Sequence, residues 1–219
     1  MSTTTLPRPN ATAPNDKSTR FAGLMSVAEY HEFELRDTSG QRYEYEDGKV
    51  FRVADTGITH GRIAMNLLGS IYGLVEAVDD TYHVLGCGMG INPRPGKYVY
   101  ADLVIVCDEP RVDNINGLQN PFALFEVLRP DTEADDRGAK FAEYKRIDTL
   151  RHYVLVEQDA VSVSHYEKNA DTGEWGEPIV ITELADTLTL RFADGVSVAV
   201  PLSRVYKRVF STAPTSNSG

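Results

Sequence analysis

The sequence predicts an α+β fold, in which a mixed and strongly twisted β-sheet carries two main helices. Two segments show the periodicity of amphipathic helices, whereas most of the others alternate in polarity or are apolar throughout, as strands do. Few strands lie in a regular βαβα alternation, and the chain after the second helix is all-β. The order of the elements therefore favours the α+β class.

The composition is that of one globular domain with polar ends. Of the 219 residues, 42% are hydrophobic and 25% are charged, which is ordinary for a folded domain. Residues 1–20 and 209–219 are rich in Ser, Thr, Pro and Asn, and burial of their few large apolar side chains cannot offset the entropy of ordering them. We therefore predict two disordered tails and one folded domain over residues 21–208.

The composition also excludes several classes of protein. No apolar run approaches the roughly 18 residues that a membrane span needs, and the N-terminus has no apolar stretch of the secretory kind, so we expect a cytoplasmic protein without a membrane partner. Two cysteines, Cys87 and Cys107, provide neither a disulfide framework nor a cysteine-rich zinc site. The net charge of −10 argues against a broad basic surface for nucleic acid.

The first half of the chain contains clear local signals. A Ser-x-x-Glu capping box at residues 26–29 predicts a short helix that ends near Leu35. The Asp-Gly pair at residues 47–48 separates two alternating runs, which predicts a hairpin over residues 42–53. Apolar residues at helical spacing predict a long helix over residues 59–78.

The second half of the chain contains strand and helix signals of the same kind. Three strands are predicted at residues 82–91, 97–106 and 121–128. A second helix is predicted over residues 133–147, capped by Asp131 or Thr132. Five further strands complete the chain, with the sequences HYVLVE, VSVSHY, PIVIT, LTLRF and VSVAV.

Two carboxylates interrupt strands that are otherwise apolar. Asp102 is the only charge in residues 99–106, and Glu126 is the only charge in residues 122–128. Strands that are apolar on both faces are typical of a sheet covered from two sides, where a carboxylate is costly unless it is paired or bound to a cation. If the strands are neighbours, the two acids converge and either share a proton or hold a metal ion, and oxygen ligands suit Mg²⁺ or Mn²⁺.

The two-residue period of a strand assigns faces to these acids. It places Asp102 on one face with Tyr98, Tyr100 and Val104, and it places Glu126 on one face with Leu124 and Leu128. The alternative is that each acid forms a buried salt bridge, for example Glu126 with Arg129. The occurrence of two such acids in successive strands leaves both interpretations open.

Lys140 and His60 are weaker candidates when each is taken alone. On the second helix Lys140 shares a stripe with Tyr144 and Ile147, and Arg137 is predicted one turn earlier on the same side. The alternative is a lysine at the helix edge, or an ion pair with Asp136 four residues earlier. His60 lies at the start of the long helix, where a neutral ring is favoured, and a core histidine is the alternative.

Four stretches together resemble the PD-(D/E)XK nuclease superfamily and, within it, the Uma-two family of restriction endonucleases (domain of unknown function 820). The stretches are YEYEDGKV (residues 43–50), THGRIAMNL (59–67), YADLVIV (100–106) and the run of residues 125–157. The resemblance covers about residues 26–206. It implies a restriction-endonuclease-like core with additional C-terminal β-strands.

The resemblance also implies roles for individual residues. Asp102 and Glu126 would be the metal-binding carboxylates, holding Mg²⁺ or Mn²⁺. The lysine that normally follows the Glu by two positions is replaced by Leu128, and in this branch it lies on the following helix as Lys140. Glu44 and His60 would be accessory polar residues of the site.

The implied activity is hydrolysis of DNA phosphodiester bonds by a metal-dependent endonuclease. A Mg²⁺ ion would polarise the phosphate and lower the pKa of a bound water, with Lys140 assisting. DNA is the expected partner, and a homodimer is left open. Two alternatives remain: a catalytically inactive nuclease-fold binding module, favoured by the net charge and by Arg129 beside the site, and a metal-dependent hydrolase of a small phosphoester.

Overall fold

The computed structural model of the chain describes residues 20–78, 80–86 and 88–210, without the side chain of Asp194. The predicted tails at residues 1–19 and 211–219, and Cys87, lie outside the described residues. Three residues that the prediction assigned to the tails are described. Arg20 is buried, the backbone of Val209 bonds to Tyr206, and the ring of Phe210 stacks on that of Tyr206 at 5.6 Å.

The described residues form thirteen strands and five α-helices. The strands are β1 (Phe21–Leu24), β2 (Tyr43–Glu46), β3 (Lys49–Arg52), β4 (Tyr82–Leu85), β5 (Met89–Arg94), β6 (Lys97–Ala101), β7 (Leu103–Cys107), β8 (Pro121–Val127), β9 (His152–Val156), β10 (Val163–Glu167), β11 (Ile179–Ile181), β12 (Thr187–Arg191) and β13 (Ser197–Pro201). The helices are α1 (Val27–Arg36), α2 (Ile58–Glu76), α3 (Glu133–Arg137), α4 (Ala139–Tyr144) and α5 (Leu202–Val205), with a 3₁₀ turn at Ala193–Gly195.

Three sheets are built from these strands. One sheet has five strands in the order β1-β3-β2-β6-β5, another has six in the order β11-β10-β9-β8-β7-β4, and β12 and β13 form a hairpin. The pair β8–β9 is parallel, and β7–β8 and β9–β10 are antiparallel. The six-stranded sheet is therefore mixed, which confirms the α+β class, although the strands are divided among more sheets than the sequence indicated.

Local signals in the first half are confirmed. Helix α1 begins after a capping box in which the Ser26 side chain accepts from the Glu29 N–H, and the Glu29 carboxylate accepts from the Ser26 N–H at 2.7 Å. Strands β2 and β3 form the predicted hairpin, and both turn residues, Asp47 and Gly48, have positive φ. Helix α2 covers most of the predicted segment.

The two strands predicted at residues 82–91 and 97–106 are each wrong as single strands. The first is divided into β4 and β5, and the second into β6 and β7, and in each case the two parts belong to different sheets. At Asp102 the chain leaves the five-stranded sheet and enters the six-stranded one. Since the residues on either side of Asp102 are mostly apolar, hydrophobicity alone gave no sign of the bend there.

The bend at Asp102 also changes which residues share a face. Val99 and Ala101 before the bend pack in the same core as Val104 and Val106 after it, so the alternation shifts by one residue. The prediction that Tyr98, Tyr100, Asp102 and Val104 share one face is therefore wrong. The corresponding prediction for Glu126 agrees with the packing, since Leu124 and Leu128 belong to one core.

The helix predicted over residues 133–147 is interrupted at Gly138, between α3 and α4. The backbone there has φ −113° and ψ −97°, which is not helical. Thr132 occupies the N-cap position, but its side chain makes no capping hydrogen bond. Arg137, at the end of α3, forms ion pairs with Glu133 and Glu157.

The six-stranded sheet is covered on both faces. Helix α2 and the β12–β13 hairpin pack on one face, in a core that includes Leu67, Phe125 and Leu190. Helix α4 packs on the other face, in a core that includes Leu124 and Phe141. In the part of the chain that the structure describes, no helix has the length and apolar character of a membrane span.

Candidate functional site

A pocket lies where the two large sheets meet, beside the bend at Asp102. Its lining contains all five residues that the sequence predicted for the site: Glu44, His60, Asp102, Glu126 and Lys140. They come from five different elements, β2, α2, the β6–β7 bend, β8 and α4. We call this cavity the carboxylate pocket.

Asp102 is fixed at the pocket by its neighbours on β8 and α2. Its backbone N–H donates to the Phe125 carbonyl at 3.1 Å, and its Oδ2 accepts from the Val127 N–H at 2.8 Å. The Nε2 of His60 lies 3.1 Å from the same oxygen. Burial alone would raise the pKa of Asp102, but the His60 side chain, the Val127 N–H and Lys140 lower it below its usual value.

Glu126 is buried more deeply than Asp102 and has a different environment. Its Oε1 lies 2.8 Å from the Lys140 Nζ and accepts from the Tyr144 hydroxyl at 3.0 Å. Burial raises the pKa of Glu126 well above its usual range. Lys140 opposes this shift, whereas the charges of Asp136 and Asp102 add to it. The pocket thus contains one carboxyl group whose pKa is lowered and one whose pKa is raised by burial and whose cationic partner is Lys140.

Lys140 is the cation at the centre of the pocket. Besides Glu126, its Nζ lies 3.3 Å from Asp136 and donates to the Tyr100 carbonyl at 2.9 Å. Burial lowers the pKa of Lys140, but the charges of Glu126, Asp136 and Glu44 outweigh burial and raise the pKa well above its usual value. Lys140 is therefore a protonated hydrogen-bond donor at neutral pH.

Glu44 and His60 occupy the edges of this arrangement. Glu44 is buried on β2, and the nearest described cation is the Arg20 guanidinium at 3.8 Å. His60 is buried in the first turn of α2, as a core histidine would be, and it also contacts Asp102 at the pocket. Of the two, His60 makes the close contact with a charged partner.

The alternatives raised by the sequence are partly realised. The Asp136–Lys140 pair forms, and Glu126 does take part in a buried salt bridge, with Lys140 as its partner. Arg129 does not take that role, because its guanidinium pairs with Asp131 at 3.6 Å and donates to the carbonyls of Ala54 and Asp55. Arg129 lines the pocket without neutralising Glu126.

The donor set suits a hard divalent cation. The contacts above use Oδ2 of Asp102 and Oε1 of Glu126, so the second oxygen of each carboxylate is left for a ligand. Within the described residues, no group of three or more His, Cys, Asp or Glu side chains is arranged as a metal site. Mg²⁺ commonly binds through one or two carboxylates and completes its coordination with water and substrate phosphate. Two carboxylates fit that pattern.

Four residues that line the pocket or contact its side chains were not predicted as site residues. Tyr144 and Asp136 complete the contacts of Glu126 and Lys140, and the spacing of both from Lys140 on a helix was the available signal. Arg20 was assigned to a tail, and Arg42 was not singled out. Neither arginine lies in a pattern that a sequence displays, because the neighbours that bring them to the pocket are distant along the chain.

Comparisons with known proteins give one family model, two relatives and one solved structure. The family model Uma2, described as putative restriction endonuclease, matches residues 27–201. Two uncharacterized proteins of Synechocystis sp. are similar: sll1609, at 28% identity over 74% of this chain and 88% of that protein, and slr1290, at 29% identity over 80% and 89%. Among solved structures, a putative nuclease belonging to DUF820 from Anabaena variabilis has a TM-score of 0.62 at 14% identity, and the match covers 82% of this chain and 97% of that one. This likeness shows a shared fold.

Proposed function

The chain belongs to the Uma2 family of putative restriction endonucleases, and on that premise we propose that it hydrolyses phosphodiester bonds of DNA with Mg²⁺ or Mn²⁺ held by Asp102 and Glu126. One observation carries the proposal. Two carboxylates, one at the β6–β7 bend and one on the neighbouring strand β8, line one pocket together with a charged lysine, and each has one oxygen outside the contacts that fix it.

The protein prepares Asp102 and Glu126 for different parts of this task. Asp102 is held as an anion by the Val127 N–H and His60, so it can take up a cation without first losing a proton. Glu126 is paired with the Lys140 ammonium group, although burial and the nearby carboxylates raise its pKa. A divalent cation at the pair would therefore share Glu126 with Lys140.

Bound Mg²⁺ would polarise the phosphate and lower the pKa of an attacking water. Lys140 would act beside it, since its ammonium group is protonated, buried and fixed by three oxygen contacts. A fixed cation of this kind orients a water molecule or stabilises negative charge that develops on phosphate oxygens. His60 is a positioning residue, because it reaches the reaction through Asp102.

Nicking of supercoiled plasmid tests the proposal. We expect the purified protein to cleave in Mg²⁺ or Mn²⁺ and not in EDTA. The variants Asp102→Asn and Glu126→Gln preserve side-chain size and remove a ligand charge, and each should reduce the rate by more than about 100-fold. Glu76→Gln, at the exposed end of α2, is the matched control and should cleave like the wild type. Equal nicking by all four proteins would remove the proposal.

A second candidate is a binding module of the same fold without catalysis. The observation that favours it is the salt bridge of Glu126 with Lys140, which already neutralises one ligand. Calorimetry separates the two candidates, because the module predicts no heat of divalent cation binding at millimolar concentration. Turnover of a chromogenic phosphodiester without plasmid nicking would instead indicate a hydrolase of small phosphoesters.

A further inference from the structure

Two arginines lie on the side of the carboxylate pocket that the five-stranded sheet supplies. Arg20 precedes β1 and Arg42 precedes β2, and both line the pocket. Their backbones are bonded to consecutive residues at the end of β3: the Arg20 carbonyl accepts from the Arg52 N–H at 2.7 Å, and the Arg42 carbonyl accepts from the Val53 N–H at 2.9 Å. The end of β3 therefore brings the two arginines to one place.

The guanidinium of Arg20 is buried with little compensation. Arg20 is only 6% exposed, and its Nε has no hydrogen-bond partner. Among the described residues, the carboxylate within reach of its guanidinium is that of Glu44, at 3.8 Å, which is too long for a hydrogen bond. A buried donor without an acceptor is costly unless a ligand satisfies it.

Arg42 is held at the mouth of the pocket by packing against Tyr100 and Gly88. Its guanidinium lies over the Tyr100 ring, 5.6 Å from the ring centre, and against the backbone of Gly88. A Cβ atom on Gly88 would lie 2.0 Å from the Arg42 Nη1, so the guanidinium occupies space that any other residue would fill. In the described part of the chain, no carboxylate forms an ion pair with Arg42.

From these observations we infer that Arg20 and Arg42 form a phosphate-binding subsite, which takes a backbone phosphate of the DNA substrate beside the carboxylates. The inference rests on the proposed function for the identity of the substrate. Guanidinium groups present several N–H donors in a planar fork that matches phosphate oxygens. Such a local subsite also explains how a chain with a net charge of −10 can hold a polyanion.

Binding of a fluorescent DNA duplex tests the subsite. The Asp102→Asn protein in Mg²⁺ serves as the background, so that the duplex stays intact. Adding Arg42→Gln or Arg20→Gln should weaken binding about tenfold or more. Each substitution should also lower the slope of log K against log salt concentration by about 0.9, as expected for one lost phosphate contact. Arg36→Gln, exposed on α1, removes the same charge and should change neither quantity.

A loss of DNA binding has to be distinguished from a loss of folding. Arg20 is buried and its variant can unfold, which circular dichroism reports, whereas Arg42 is exposed and its variant should fold normally. Inorganic phosphate without metal is a second probe, and Arg42→Gln should weaken its calorimetric binding by a similar factor.

The outcomes separate this inference from the nuclease proposal. Binding by Arg42→Gln with the affinity and slope of the Arg36→Gln control would overturn the subsite, even if the wild type nicks plasmid. Arginine-dependent DNA binding without any nicking would support the subsite and contradict the nuclease. A protein that binds no duplex at all would overturn both.

Discussion

Lys140 places one positive charge among carboxylates that the fold has buried. Removing it in Lys140→Ala leaves Glu126 and Asp136 without a counter-charge, both with side chains 6% exposed. Loss of one partner from a buried ion pair typically costs about 3–5 kcal/mol, so we expect a decrease of that size in the free energy of unfolding. Urea denaturation measures it.

Two further variants show whether the charge is responsible. Lys145→Ala, at an exposed position on the same helical segment, should cost less than about 1 kcal/mol. The double variant Lys140→Met with Glu126→Gln also removes one of the two carboxylates left unpaired and should recover part of the loss. A single Lys140→Ala protein as stable as the wild type would contradict the ion-pair network.

Single residues were predictable where their chemistry contrasts with their surroundings. Asp102 and Glu126 stand out because each is the only charge in an apolar run, and the structure places both at the pocket. Arg20 and Arg42 do not stand out, because arginines near polar segments are common and their burial depends on distant contacts. Their position is a property of tertiary structure.

Gly138 determines the path of the chain between α3 and α4. A Cβ atom at this position would lie 2.9 Å from the Ala134 carbonyl oxygen, which belongs to the backbone and cannot move easily. Gly138→Ala should therefore destabilise the protein by about 1–3 kcal/mol and reduce activity by displacing Lys140. Thermal unfolding and the plasmid assay measure the two effects.

The control for this substitution lies on α2. A Cβ atom on Gly73 has nothing within 4 Å, so Gly73→Ala should stabilise the helix by about 0.5–1 kcal/mol. If Gly138→Ala stabilises the protein as well, the segment is a continuous helix and the interruption is refuted.

A histidine pair joins the β12–β13 hairpin to the six-stranded sheet. His152 Nε2 bonds to the Arg191 carbonyl at 2.8 Å, and its Nδ1 lies 3.0 Å from His165 Nε2. Burial lowers the pKa of His165 to about 3, with the nearby His152 and Arg191 adding to the shift, and burial also lowers the pKa of His152. Both rings are therefore neutral at pH 7.

This pair predicts acid sensitivity. The unfolded chain binds a proton at His165 below about pH 6.5, whereas the folded protein does not until about pH 3. Stability is therefore complete above pH 6.5 and falls between pH 6.5 and 3, by about 1.4 kcal/mol per pH unit for this group. His165→Gln should make urea stability less dependent on pH in that window, whereas His83→Gln, on edge strand β4, should not. Parallel curves for both variants and the wild type would contradict the assignment.

Elements whose ends are marked by a capping or turn motif were predictable from the sequence, and elements without such a motif were not. The capping box at Ser26 and the turn at Asp47 act through neighbours in sequence, so α1 and the β2–β3 hairpin are as expected. The bend at Asp102 depends on which sheet each half joins, and the apolar residues on its two sides are alike in the sequence. The interruption at Gly138 was marked only by one glycine.

The molecule as a whole joins two sheets at the point where its candidate chemistry lies. The chain crosses from the five-stranded to the six-stranded sheet at Asp102, so each sheet supplies part of one pocket. The five-stranded sheet brings Glu44 and the arginines, and the six-stranded sheet brings Glu126. The fold class was predictable from the mixture of elements, whereas the junction depended on long-range pairing.

A crystal structure of the protein soaked in Mn²⁺ tests the central claim most directly, because manganese gives an anomalous signal. We predict one strong peak within about 2.0–2.4 Å of an oxygen of Asp102 and an oxygen of Glu126, and no such peak in the Asp102→Asn protein. A soak at millimolar Mn²⁺ in which the peak is missing, or is bound by other residues while Lys140 still neutralises Glu126, would contradict the account.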